Sequence, residues 1–236
     1  MKKENLLSIK NLTKQYSKNQ INFRSIFLNK NKNLFFALED INFDINKGEK
    51  LAFLGKNGSG KSTLLKIISR ITLPTSGEVI VKGKIISMLE SGFGFSPDLT
   101  ARENIHINSS ILGADKNEIK QILPLIFEFA QLNEFIDVPV KRFSTGMEAR
   151  LGFSMGIYLP SDILLLDELL ATIDGKFREK CINKLASDDF NKTLIFVSHN
   201  LDLVSRICNR GVVLNNGKMV YDGNISSSIE KYKEFM

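Results

Sequence analysis

A chain of 236 residues with 43% hydrophobic content can bury the core of one sizeable domain. Its 32 Lys and Arg against 26 Asp and Glu leave a net charge of +6, scattered rather than gathered in a block, which permits an anionic partner without selecting nucleic acid, membrane or protein. No run of about 18 apolar residues and no signal-peptide stretch is present, so neither a bilayer span nor secretion is expected; Cys181 and Cys208 lack metal or redox spacing and read as buried or idle thiols of a reducing cytosol, without a disulfide.

In chain order, Leu12-Thr-Lys-Gln-Tyr16 ends in an aromatic residue at a predicted strand end. The long stretch from Ser17 to Leu34 follows, with Phe23, Ile26, Phe27 and Leu28 between basic residues; it suits either a surface hairpin or a face against a membrane partner. Lys50 to Leu54 is an apolar run of the kind a parallel strand covered on both faces requires. It leads into Gly55, Lys56, Asn57, Gly58, Ser59, Gly60, Lys61, Ser62 and Thr63, which match the P-loop pattern of Gly, four residues, then Gly-Lys-Ser. Glycines there let backbone N–H groups turn inward around phosphate oxygens, and the helix starting at Lys61 adds the positive end of its dipole. Lys61 is expected to bridge the β- and γ-phosphates and Ser62 to ligate Mg²⁺. Leu64, Leu65, Ile67, Ile68 and Ile71 are expected to form the core-facing side of that helix.

From about Ser91 to Pro160 the pattern is helical. Thr100-Ala-Arg-Glu103 has the form of a capping box, and Ile119, Ile122, Leu123, Ile126 and Phe127 recur at helical spacing. His106 falls in the first of these helices and reads as structural. A second apolar strand, Asp162 to Asp167, closes on Asp167 and Glu168; adjacent carboxylates suit a metal ligand and a general base for an attacking water. A third, Thr193 to Val197, closes on Ser198 and His199, which puts His199 at the strand edge where open α/β sheets bind ligands. A helix ending near Asn209 and a hairpin turning at Asn216-Gly217 complete the pattern. Strands alternating with helices predict an α/β fold with a mostly parallel core sheet.

Phe143-Ser144-Thr145-Gly146-Met147, set between the P-loop and the acidic pair, resembles the signature loop of ABC ATPases. Ala171-Thr-Ile-Asp174 resembles that family's D-loop. The resemblance covers essentially the whole chain and implies a P-loop NTPase spanning residues 1–236, with an antiparallel β subdomain and a helical subdomain inserted at about 91–160. It also implies two copies sandwiching two ATP molecules, with Ser144 and Gly146 reaching the γ-phosphate held by the other copy, Asp174 touching the partner near the hydrolytic water, His199 on the γ-phosphate, and Tyr16 stacking on adenine. Met147 stands where the signature usually has glutamine, and Glu90, in Met88-Leu-Glu-Ser-Gly-Phe-Gly-Phe95, lies nearest the Q-loop glutamine. These departures are similar to the ATP-binding subunits of bacterial exporters of capsular polysaccharide, O-antigen and teichoic acid. That likeness implies a homodimeric ATPase on the cytoplasmic face of the inner membrane, bound to an integral-membrane permease that handles a lipid-linked polysaccharide, with no nucleic acid. A capsule-type or other cell-surface glycan exporter is favoured because the sequence ends without the carbohydrate-binding β-sandwich that O-antigen ATPases often append. The competing class is a soluble ABC ATPase acting on nucleic acid or ribosomes, which usually carries a coiled-coil insertion or two cassettes in one chain.

Overall fold

The computed structural model describes residues 4–17, 34–88, 94–168, 170 and 173–236. Glu90, Phe93, residues 18–33 of the long stretch after Tyr16, and Ala171 and Thr172 lie outside the described residues. In chain order come β1 (Asn5–Ser17), β2 (Leu34–Asn46), β3 (Lys50–Leu54), α1 (Lys61–Ile68), β4 (Ser76–Val81) and β5 (Ile85–Met88). Three helices follow, α2 (Ala101–Ile111), α3 (Lys116–Ala130) and α4 (Thr145–Tyr158). The rest is β6 (Ile163–Asp167), α5 (Gly175–Ala186), β7 (Thr193–Val197), α6 (Leu201–Ile207), β8 (Arg210–Asn215), β9 (Lys218–Asn224) and α7 (Ile225–Lys233).

Two compact units share strand β3. The first holds residues 1–46, 53–82 and 210–236. Within it β2, β1 and β4 form an antiparallel sheet in that order, seated on the fully buried Leu7, Leu12, Leu38 and Ile41. β3 is the hydrogen-bonded sheet neighbour of β8, which forms a hairpin with β9. That hairpin turns at Asn216 and Gly217, whose φ values of 47° and 78° are the pair a two-residue type I′ turn demands. The expected five-residue apolar face of α1 is shortened by one. Leu64, Leu65, Ile67 and Ile68 are buried, but Ile71 is 62% exposed. The cause is a Schellman end: Arg70 enters the left-handed region at φ 60°, its N–H bonds Ile67 O, and the N–H of Ile71 bonds back to Lys66 O at 2.8 Å, so the helical period stops before Ile71.

The second unit holds residues 47–52 and 83–209. Its strands run β5-β6-β7-β3, with β5, β6 and β7 parallel and Ile163 to Leu166 wholly buried, as a strand covered on both faces must be. Between β5 and β6 the chain is helical. Ala101 and Ile105 of α2, Ile126 and Phe127 of α3, and Leu151 and Met155 of α4 make one apolar cluster. Reciprocal capping boxes, Thr100 with Glu103 and Asp115 with Glu118, open α2 and α3. Cys181 and Cys208 are buried free thiols. Among the described residues no helix is long and apolar enough to cross a membrane.

Candidate functional site

In the first unit, β3 ends in a loop whose glycines bend the backbone as no other residue would. Gly58 and Gly60 have φ 79° and 108°, and a Cβ on Gly60 would lie 2.6 Å from the Ala37 carbonyl oxygen and 2.7 Å from Leu38 Cδ2 of β2. Gly60 is the N-cap of α1 and supplies no side chain, so the first turn of the helix is turned toward whatever the loop encloses. Lys61 is only 8% exposed; its Nζ donates to Gly55 O at 2.5 Å and Lys56 O at 3.0 Å, which folds the ammonium back over the loop. Ser62 is exposed at the start of α1, and Lys56, Asn57 and Gly58 are exposed along the loop rim. The same unit holds Tyr16 near the end of β1, half-buried, with its ring stacked on Phe35.

In the second unit, β6 delivers Asp167 and Glu168, and β7 delivers His199. Asp167 pairs in register with Val197, and the N–H of Glu168 donates to Val197 O at 3.1 Å. This brings Glu168 Oε1 to 2.9 Å from His199 Nε2. Glu168 sits at φ 50°, a left-handed conformation that costs a non-glycine residue about 1 kcal/mol and recurs where function over-determines the backbone. A carboxylate held by an imidazole at a strand end can accept a proton from water, with the imidazole keeping its orientation.

The signature residues lie in this unit as well. Ser144 is the N-cap of α4, its Oγ accepting from the Met147 N–H at 3.3 Å, and Ser144, Thr145 and Gly146 are all exposed. Asp174 caps α5 by accepting from the Phe177 N–H at 3.1 Å, while Arg150 of α4 reaches its Oδ2 with Nε at 2.9 Å and Nη2 at 2.6 Å. The Phe177 N–H and then the Arg150 guanidinium hold the Asp174 carboxyl below the usual carboxylate range. The Arg150 guanidinium also lies 5.4 Å from the Phe177 ring centre. Asp174 is thus bound to the helix that opens at Ser144, and Arg150 is a holding residue that motif reading missed.

Lys192 is a second. Only 8% exposed, it stands just before β7 and donates from Nζ to Gly156 O at 3.0 Å and Leu159 O at 2.5 Å, at the C-terminal end of α4. Burial pushes its pKa down to about 8, against the opposing charge of Asp162. Nothing in the local sequence distinguishes it from a surface lysine before a strand. His106 is exposed on α2.

Compared with known proteins, residues 38–171 match the ABC transporter family. The chain belongs to that family. Among its relatives, an O-antigen export system ATP-binding protein RfbB of Klebsiella pneumoniae is 43% identical, over 86% of this chain and 82% of its own. A teichoic acids export ATP-binding protein TagH of Staphylococcus haemolyticus is 37% identical over 98% of this ABC chain and 89% of its own. Two solved structures give the fold. The dimeric post-hydrolysis state of the ATP-binding cassette MJ0796 bound to ADP and Pi superposes with a TM-score of 0.76 at 23% identity, over 93% of this chain and 99% of that one. The ATP binding subunit of an ABC transporter superposes with a TM-score of 0.81 at 20% identity, over 97% and 93%.

Proposed function

We propose that this ABC chain is the ATP-hydrolysing subunit of an exporter that moves a cell-surface polysaccharide across the cytoplasmic membrane. It works as a homodimer, peripheral on the cytoplasmic face, with an integral-membrane permease that handles the lipid-linked glycan. The observation that carries the hydrolytic part is the Glu168–His199 pair at 2.9 Å, on a strained strand end in a chain that also carries a complete P-loop. The export part is supported by the relatives, whose names are those of O-antigen and teichoic acid export proteins.

In this reading the loop from Gly55 to Gly60 and the start of α1 hold the nucleotide phosphates by backbone N–H groups, and Lys61 swings from its two carbonyls onto the β- and γ-phosphates. Thr63, in the first turn of α1, belongs to the same nucleotide site. Glu168 takes a proton from the water that attacks the γ-phosphorus, and His199 keeps the Glu168 carboxylate aimed. Ser144 and Gly146 of one copy meet the γ-phosphate bound by the other, and Asp174 lies at the same dimer face. Ser62 and Asp167 would hold Mg²⁺. Both are hard oxygen donors, and among the described residues no group of three His, Cys, Asp or Glu forms a metal cage. That donor set fits an ion that keeps waters and phosphate oxygens in its shell. Bound there, Mg²⁺ would neutralise charge on the phosphate oxygens.

A hollow of about 180 Å³ between β5, α2 and α4, lined by Ser87, Met88, Asn108, Ile111, Gly152 and Met155, suits a segment of the permease. Ile111 is 77% exposed beside it, and Ser87 Oγ has no partner among the described residues. Met88, which lines the hollow, lies two residues before Glu90 in sequence, the residue we propose senses the nucleotide state for the permease. The test is fractionation of cells with and without a co-expressed permease. Recovery in the membrane fraction that depends on the permease supports the reading, and permease-independent sedimentation with ribosomes or nucleic acid refutes it.

A further inference from the structure

The exposed aromatic residues at the start of β2 adjoin the P-loop within the first unit. Leu34, Phe35 and Phe36 are 45%, 41% and 47% exposed, an apolar run at a strand end that solvation alone does not favour. The β1–β2 register sets Phe35 directly opposite Tyr16, so the two rings share a sheet face, while Phe36 faces Gln15 on the other. The Tyr16 and Phe35 rings stack with centroids 5.8 Å apart and planes 29° from parallel. Tyr16 has another neighbour, the Lys14 ammonium 5.0 Å from its ring centre and anchored to Leu73 O at 2.7 Å. Tyr16 is thus flanked by Phe35 and Lys14, whereas Phe35 keeps much of its surface open.

The link to the phosphates is short. Two residues beyond Phe35, the Ala37 carbonyl is where a Cβ on Gly60 would collide, and the Gly217 N–H bridges to Ser59 O at 3.1 Å while Glu39 N–H bonds Gly217 O at 2.8 Å. β2, the β8-β9 turn and the phosphate loop are therefore fixed to one another. Two strand residues span about 7 Å, a distance that a ribose and its first phosphate bridge.

We infer that Phe35 is a base-stacking residue: backed on one side by the Tyr16 ring, its open face is the platform for the adenine of the nucleotide whose phosphates occupy the P-loop. The inference rests on the nucleotide-binding reading above and assigns the base contact to a residue that no sequence motif marks. Such a platform reads the flat face of a base and not its edges, so it holds the base without hydrogen-bond selection.

The chain has no tryptophan, so Phe35→Trp places a sole indole on the platform. We expect its emission to change on titration with ADP and to ignore inorganic pyrophosphate. In calorimetry, Phe35→Ala should weaken ADP about ten- to a hundredfold, the usual worth of one stacked base, and leave pyrophosphate affinity as in the wild type. Wild-type ADP affinity in Phe35→Ala, or indole emission of the Phe35→Trp variant that is indifferent to ADP, overturns the inference while leaving the nucleotide reading intact. Equal weakening of ADP and pyrophosphate also overturns it, because the variant has then damaged the loop and not the base contact. A wild-type protein that binds neither probe overturns the nucleotide reading, and this inference with it.

Discussion

Lys192 gives a pH dependence whose sign follows from its surroundings. Its ammonium is buried against two carbonyls of the last turn of α4, and its pKa falls from 10.5 to about 8. Below pH 8 the lysine is charged in both folded and unfolded chains, and the folded state carries the full desolvation cost. Between pH 8 and 10.5 the folded lysine sheds its proton while the unfolded one keeps it, so stability rises through that window. The linkage relation gives a gain of about 1 kcal/mol by pH 9 and about 2 to 3 kcal/mol by pH 10. The neutral amine keeps two N–H donors for its two acceptors, so the gain is not offset by a lost hydrogen bond. Burial also pushes the Cys181 and Cys208 thiols up. Their unfolded counterparts ionise near pH 9 while they do not, which lowers stability as pH rises above that point. Comparison with Lys192→Met removes this opposing effect, because both proteins share it. Urea unfolding of the two at pH 7, 9 and 10 should show the wild type gaining on the variant by the amounts above. The offset at pH 7 mixes lost desolvation with two carbonyls left without a donor, so the slope and not the offset is the readout. A difference constant to within about half a kcal/mol across that range would refute the assignment, since independent sites add to about that precision.

Glu168→Gln should keep ATP binding and slow hydrolysis about 10²- to 10⁴-fold, the ordinary contribution of a positioned general base, so that an ATP-bound dimer accumulates in gel filtration; near-normal phosphate release would remove Glu168 from that role. Mixing a Ser144→Arg subunit with a Lys61→Ala subunit should restore hydrolysis in the mixed dimer, because one composite site then carries both defects and the other neither. A Ser144→Arg protein that hydrolyses ATP normally by itself would show that Ser144 does not act across a dimer.

What the sequence disclosed is what local chemistry demands. Strands β3, β6 and β7 were legible because a strand covered on both faces admits only apolar residues, and β8-β9 because Asn216-Gly217 supplies the two positive φ values its turn needs. Ile71 misled because apolar spacing carries no sign of the Schellman end at Arg70, an arginine where glycine is usual. Arg150 with Asp174, and Lys192 with Gly156 and Leu159, are 24, 36 and 33 residues apart in sequence, and a pairing at that range is fixed by tertiary packing, which no local pattern records. Phe35 escaped for a related reason: β1 and β2 pair with several bulges, so which residue faces Tyr16 depends on a register the sequence does not reveal. The same division accounts for Met147. Its contribution to the Ser144 cap is a backbone N–H, which any residue but proline supplies, and its side chain packs against the apolar cluster of α2, α3 and α4. A thioether suits that half-buried seat at least as well as a polar amide would. Met147 thus has a packing role beneath the loop on which Ser144 and Gly146 are exposed.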